Sequence, residues 1–250
     1  MLALEVPLAF PVTADASNPA ELASAQRQRS LAHAARHDIL RRLAPSLRHD
    51  MVVPLQSLGM TMEALSARLD RGAVDSADLH AAVSKLNRLT RKAVASCLHV
   101  ATWMEPAEDD SVPLNEGVEE CAGLLASSLN FRGFHLRNEV RDIPMEVSRG
   151  ALRFLLAASL LSLAEHAPGG GELVLSGETA AGHAVVAVTW QPSADAASTQ
   201  LHDAGQATLS WTEVQALAAL EAVELRRSPS EIILRFPRSV VTTPLKMVPV

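Results

Sequence analysis

The sequence predicts an α+β protein: a helical hairpin that forms a dimeric four-helix bundle, followed by an α/β sandwich domain. Three observations carry this expectation. Apolar residues recur at steps of three and four along two long segments joined by a short turn. An acidic, polar stretch from Ala107 to Ser111 ends that pattern. Beyond it, strand-like and helix-like patterns are mixed, which suggests a sheet covered on one face by helices.

Residues 1–30 are rich in Pro, Ala and Ser without a sustained period, and read as a leader expected to be disordered. Residues 31–106 form the hairpin. Its first stripe runs through Leu40, Leu43, Leu47, Met51, Leu55, Leu58, Met62, Leu65 and Leu69. Pro45 and Pro54 lie inside it; each removes a backbone donor and predicts a local kink or break. Gly72 to Ala77 is a turn, with Asp75 or Ser76 as the cap of the next helix. The second stripe runs through Leu79, Val83, Leu86, Leu89, Ala93, Cys97, Val100 and Met104, and Pro106 stops it. One hairpin cannot bury both stripes, so a homodimer is expected.

Residues 111–238 form the α/β domain, and 239–250 a C-terminal tail. The predicted elements are a helix over Leu114–Leu129, a strand over Phe134–Val140 and a strongly apolar helix over Ser148–His166. Pro168 to Gly171 is a sharp break. Strands over Glu172–Ser176 and His183–Trp190 follow, joined by a polar turn through Gly177 to Gly182. Gln191 to Gly205 is loop-like, Trp211–Ala222 is a helix and Ile232–Phe236 a last strand.

Composition narrows the function. The net charge of −6 carries no basic excess, which argues against a nucleic-acid partner. The longest apolar run, Ala151 to Ala164, holds Arg153 and two serines and is too short for a membrane span. Met1 to Pro11 lacks the basic start and cleavage site of a signal peptide. Cys97 and Cys121 read as buried free thiols of a cytoplasmic protein. His33 and His37 could share a helix face, but no further ligand completes a metal set. Trp103, Met104 and Trp190 read as core or interface residues. The pairs Arg41-Arg42 and Arg91-Lys92 read as solvated faces that could also steer a partner. Gly169 to Gly171 reads as a tight turn, since no helix follows it to make a phosphate loop.

The most informative segment is Leu47-Arg48-His49-Asp50-Met51-Val52-Val53-Pro54-Leu55. On a helix His49 lies about 200° from Leu47 and about 160° from Met51, so it points away from the stripe. His37 has the same Arg-His-Asp context but sits three residues before Leu40, on the stripe, and reads as a packing or capping residue. An exposed neutral imidazole beside a carboxylate is a good nucleophile.

The arrangement His49-Asp50-xxx-Pro54-Leu55 resembles the phosphoacceptor box of sensor histidine kinases, and the resemblance extends from about Leu31 to Pro237. It implies that His49 accepts a phosphoryl group on Nε2 while Asp50 orients the ring or takes its other proton. It implies that Ser111 to Glu116 starts an ATPase-like domain. The nucleotide-binding positions depart from that family. Ser162 stands where the resemblance puts a magnesium-holding Asn. The strand that should end in Asp-x-Gly ends Val188-Thr189-Trp190-Gln191-Pro192. The candidate second glycine loop, Gly205 to Ser210, has one Gly. Val53 stands where Thr or Asn often supports dephosphorylation of the partner, so phosphatase activity is not expected.

The resemblance therefore points to a histidine phosphotransfer protein, a dimeric relay with a degenerate ATPase domain that passes a phosphoryl group between receiver aspartates through His49. Phosphotransferase activity is favoured over ATP-dependent autophosphorylation. No cofactor is expected on this chain; Mg²⁺ would come with the response-regulator receiver domain. Docking is expected on the outer face of the first helix, at Arg48, Gln56, Met60 and Glu63, where Met60 suits a surface that meets related partners. The alternatives are a soluble histidine kinase with a divergent ATP site and a non-catalytic receiver-binding scaffold.

Overall fold

The computed structural model describes residues 19–72, 74–104, 110–141, 143–193 and 208–239. The leader to residue 18, the linker at 105–109, the loop at 194–207 and the tail from 240 lie outside the described residues.

Helix α1 (Pro19–Asp70) is 52 residues long, about 78 Å at the α-helical rise. It starts well before Leu31, so part of the expected leader, residues 19–30, is helical and almost wholly exposed. It also continues through Pro45 and Pro54, where a local kink or break was expected, without a break. Its burial divides in two. Ala32, Ala35, Ile39, Leu43 and Leu47, at steps of three and four, are buried against the α/β domain. Below them Met51, Pro54, Leu58 and Leu65 turn toward helix α2 (Ser76–Met104), which runs back along α1. Asp75 caps α2: its Oδ1 accepts from the Asp78 N–H at 2.7 Å. Gly72, at φ +64°, makes the turn that a side chain would strain.

The single stripe expected along α1 is thus split. Leu55, Met62 and Leu69 stay 46, 55 and 50% exposed, a line at heptad spacing that no described residue covers. Leu79 and Val83 on α2 are similarly open. His37 is exposed too, because the inward register runs through Ala35 and Ile39 rather than through Leu40.

The α/β domain follows as β1 (Ser111–Pro113), α3 (Leu114–Phe131), β2 (Phe134–Asn138), β3 (Glu146–Ser148), α4 (Arg149–His166), β4 (Gly171–Ala180), β5 (His183–Pro192), α5 (Trp211–Leu220), β6 (Glu224–Arg227) and β7 (Glu231–Pro237). The main sheet has the order β2-β4-β5-β7-β6, with β2 parallel to β4 and the other pairs antiparallel. β1 and β3 form a small antiparallel pair of their own. Three strands were not expected: β1, β3 and β6 are three or four residues long, too short for alternation to show. The β4–β5 hairpin is longer than expected. It turns at Ala181 and Gly182, both at positive φ, in the manner of a two-residue primed turn.

Ser148 caps α4 by accepting from the Ala151 N–H, and α4 is buried on every face from Ala151 to Ala164. One face lies on the sheet; the others meet α3, α5 and α1. The molecule therefore has three layers over this region: sheet, the helices α3 to α5, and α1 on the outside. A helix apolar all round needs such enclosure.

The end of α2 is clamped to the α/β domain by buried charge. Arg153 of α4 is 3% exposed. It donates to the Thr102 carbonyl at 2.8 Å, pairs with Glu120 of α3, and lies 4.9 Å over the ring of Trp103. Trp103 is fully buried and meets Phe154 edge-on at 6.5 Å, while Met104 beside it is 69% exposed and belongs to no core. Glu120 also takes His99 Nε2 at 2.8 Å and Arg149 Nη1 at 2.9 Å. Burial alone would raise the Glu120 pKa; hydrogen bonds from His99 and Arg153 outweigh it and hold the carboxyl at about 2. Of the two cysteines Cys121 is buried, which pushes its thiol pKa up, whereas Cys97 is only half-buried.

A depressed carboxylate stabilises the fold above its ordinary pKa of 4.5 and loses that contribution as pH falls toward 2. Glu120→Ala leaves Arg153 buried without its counter-charge and is expected to cost about 3–5 kcal/mol at pH 7. Denaturant unfolding at pH 7 and pH 3 checks this: the gap from wild type should narrow at the lower pH. An equal midpoint at pH 7 would show that the clamp carries no stability.

Candidate functional site

His49 sits where α1 passes from its contact with the α/β domain to its contact with α2. The local backbone there is unusual in a way the sequence dictates. Pro54 has no N–H, so the carbonyl of Asp50, four residues earlier, loses its helical partner. Ser96 on α2 replaces it, donating from Oγ to Asp50 O at 2.6 Å. Pro54 itself is buried toward the hairpin interior, and the helix runs on unbroken. The turn bearing His49 and Asp50 is therefore tied to both helices of the hairpin.

The His49 side chain is 66% exposed and its Nδ1 lies 3.8 Å from Asp50 Oδ1. That is beyond hydrogen-bond range, but the two side chains lie side by side on the same turn. His37 is not placed in this way, and its neighbour Asp38 faces Arg41 at 3.4 Å. Exposure therefore does not separate the two histidines; the surroundings do.

Those surroundings are a cleft of about 580 Å³ between α1 and the α/β domain. Helix α1 gives Arg42, Pro45, Ser46, His49 and Asp50; α3 and its end give Ser127, Ser128, Phe131 and Arg132; α4 gives Glu165. Gly169 and Gly170 complete one wall. Their segment packs tightly on the α3–β2 turn: Gly171 N donates to Gly133 O at 3.1 Å, and a Cβ on Gly170 would lie 2.5 Å from that oxygen. The glycines form the tight turn expected of them and also wall the cleft.

Arg42, expected on a solvated face, is 5% exposed in its side chain and pairs with Glu165. Glu165 Oε2 also accepts from the Leu209 N–H at 3.2 Å, so one carboxylate ties α1, α4 and the segment before α5 together. Nearly two turns higher, Arg36 pairs with Glu221 at the end of α5.

Of the residues expected to act, His49 and Asp50 line the cleft. Arg48, Gln56, Met60 and Glu63 are exposed on α1 outside it, Met60 at 70%. His49 is exposed as expected, and it also borders a cleft whose other walls come from α3 and α4. Ser96, Ser127, Ser128, Arg132 and Glu165 were not anticipated. For Ser96 a signal existed, since Pro54 orphans a carbonyl four residues back. For the others there was none, since their approach to His49 depends on how the two domains dock. Ser162 is 1% exposed, with no hydrogen-bond partner for its Oγ among the described residues. Gly205 to Ala207 of the candidate second glycine loop lie outside the described residues. No helix among the described residues is long and apolar enough to cross a membrane.

No family model and no curated protein matches the chain. Among solved structures it is similar to the Acinetobacter baumannii histidine kinase AdeS, at 13% identity over 76% of this chain and 97% of that one, with a TM-score of 0.37. It is similar to a bacterial phosphotransferase at 13% identity, over 80% of this chain and 95% of that one, with a TM-score of 0.34. A third is the histidine kinase ThkA in complex with the response regulator protein TrrA, at 15% identity over 90% and 68% of the respective chains and a TM-score of 0.38.

Ser96→Ala leaves the Asp50 carbonyl without a donor. The expected cost is about 1 kcal/mol in global stability. Amide exchange should also quicken locally, in the α1 turn around His49. Unaltered protection of that turn would mean that water replaces the serine at no loss.

Proposed function

We propose that this chain is a histidine phosphotransfer protein of a two-component phosphorelay, with His49 as the acceptor. The observation that carries the reading is the position of His49: an exposed imidazole beside a carboxylate, lining a cleft, in the His-Asp-xxx-Pro-Leu arrangement. In the forward step the neutral ring attacks through Nε2. A P–N bond forms, the P–O bond to the receiver's aspartate breaks, and the aspartate leaves as carboxylate. Asp50 favours the positive charge that develops on the ring and holds the Nδ1 proton or takes it. The second step is the reverse, onto another receiver aspartate. Mg²⁺ and the aspartates belong to the receivers.

Two observations support a relay over an ATP-dependent kinase. The position equivalent to the magnesium-holding Asn is Ser162, which is buried under surrounding helices. The strand end at Trp190 to Pro192 offers no carboxylate for an adenine. Cytoplasmic location follows from receiver partners. The scaffold alternative differs in one outcome, since a scaffold keeps its activity when His49 is replaced.

Receiver docking falls to α1 below the acceptor, at Arg48, Gln56, Met60 and Glu63, and to Phe131, which is 82% exposed at the lip of the cleft. A second copy of the chain covers the open heptad line of Leu55, Met62 and Leu69, which makes the hairpins a four-helix bundle.

Incubation with a phosphorylated receiver is expected to place acid-labile phosphate on the wild type and on His37→Ala but not on His49→Ala. Label on the His49 variant would sink the assignment. Calorimetry with Mg-ATP should show no micromolar binding; a micromolar dissociation constant would favour the kinase. Met62→Glu puts a charge in the bundle seam and should shift sedimentation from dimer to monomer while far-UV circular dichroism is retained. A wild type that sediments as a monomer at micromolar concentration would overturn the bundle.

A further inference from the structure

Among the described residues, the cleft beside His49 contains one arginine without a counter-charge, Arg132. Arg42 is neutralised by Glu165. Arg132 is half-buried, and its guanidinium has no ion pair or side-chain hydrogen bond among the described residues. Its backbone is fixed, because its N–H donates to Leu129 O at 3.0 Å in the cap of α3. Near it on the cleft wall lie the hydroxyls of Ser127 and Ser128, which likewise make no hydrogen bond among the described residues. Gly169 and Gly170 line the same cleft, and their backbone N–H groups have no partner among the described residues.

An unpaired guanidinium with hydroxyls and glycine amides is the donor set that recognises a tetrahedral oxyanion. Arg presents a rigid fork of N–H groups that matches two phosphate oxygens at once, and glycine amides can serve the others. A cation at the end of a helix also complements the helix dipole, and that alone would explain an Arg in this place. It does not explain why four more unpartnered donors share a cleft with the acceptor histidine.

We infer that Arg132, assisted by Ser127, Ser128 and the amides of Gly169 and Gly170, binds the phosphoryl group while it passes to and from His49. This rests on the reading of His49 as acceptor. Arg132 neutralises the oxygens of the group in flight, and the P–N bond forms as in the step above, so the site needs no further reactant. The α/β domain, having no nucleotide to present, thereby keeps a part in the chemistry.

Two probes separate the possible failures. Inorganic phosphate is titrated into the full chain and the His49 ring resonances are followed by NMR. A saturable shift is expected, weakened at least tenfold in Arg132→Ala and partly restored in Arg132→Lys, which keeps the charge but not the fork. In parallel, phosphoramidate is supplied as a small phosphoryl donor and acid-labile phosphate is counted. Arg132→Ala should slow its appearance at least tenfold, with an unchanged melting temperature. No phosphate binding in the wild type, or equal binding or equal transfer in Arg132→Ala, overturns the inference. Phosphate binding that depends on Arg132, with no transfer to His49, upholds the anion site and overturns the acceptor reading instead.

Discussion

The structure depends on the seating of the upper half of α1 on the helical layer of the α/β domain. Ala32, Ala35, Ile39, Leu43 and Leu47 are buried there, and Arg36 and Arg42 are held at the same face by Glu221 and Glu165. Apolar burial supplies the attraction, and the ion pairs set the register, since a one-residue slip of the helix would turn both arginines away by about 100°. Everything about the site follows from that register. His49 comes two residues after the last buried leucine, so the seating decides that it faces a walled cleft and that Arg132 and the glycine turn share it.

Two kinds of polar repair make this possible. The first is local: Pro54 orphans a carbonyl and Ser96 restores its hydrogen bond from the other helix. The second is the group around Glu120, where two arginines and a histidine converge on one carboxylate. Both engage α2, the first through Ser96 beside His49 and the second through His99 near its end. The turn bearing His49 and Asp50 is thus braced against the hairpin on one side, while the clamp fixes where the hairpin meets the α/β domain. Under the proposed function such bracing would aid transfer, because orientation supplies much of the rate of a group-transfer step.

Much of this was legible in the chain. The hairpin, its cap at Asp75, the order of the main helices and strands, and the exposure of His49 follow from spacing and from turn residues. The motif His49-Asp50-xxx-Pro54-Leu55 could be recognised because all its parts are local. What was not legible is of another kind. A proline inside a helical pattern signals a break only if nothing repairs it, and the repairing Ser96 is 46 residues away. The inward register of α1 could not be told from its stripe alone, because two partners compete for the helix: the α/β domain takes Ile39 and Leu43, and the hairpin takes Pro54 and Leu58. His37 was assigned to the wrong face for that reason. Arg42 looked solvated because its counter-ion, Glu165, lies on α4. Strands as short as β1 and β6 carry too few residues for alternation to speak.

The seating of α1 also redraws the border between the two domains. Counted along the chain, the α/β part begins after residue 110; counted by burial, it includes residues 32–47, which close the layer over α4 and α5. Such a domain is discontinuous. A fragment cut at the linker would uncover the face of α5 that packs on α1 and strand the carboxylates of Glu165 and Glu221. The halves are therefore not interchangeable cassettes.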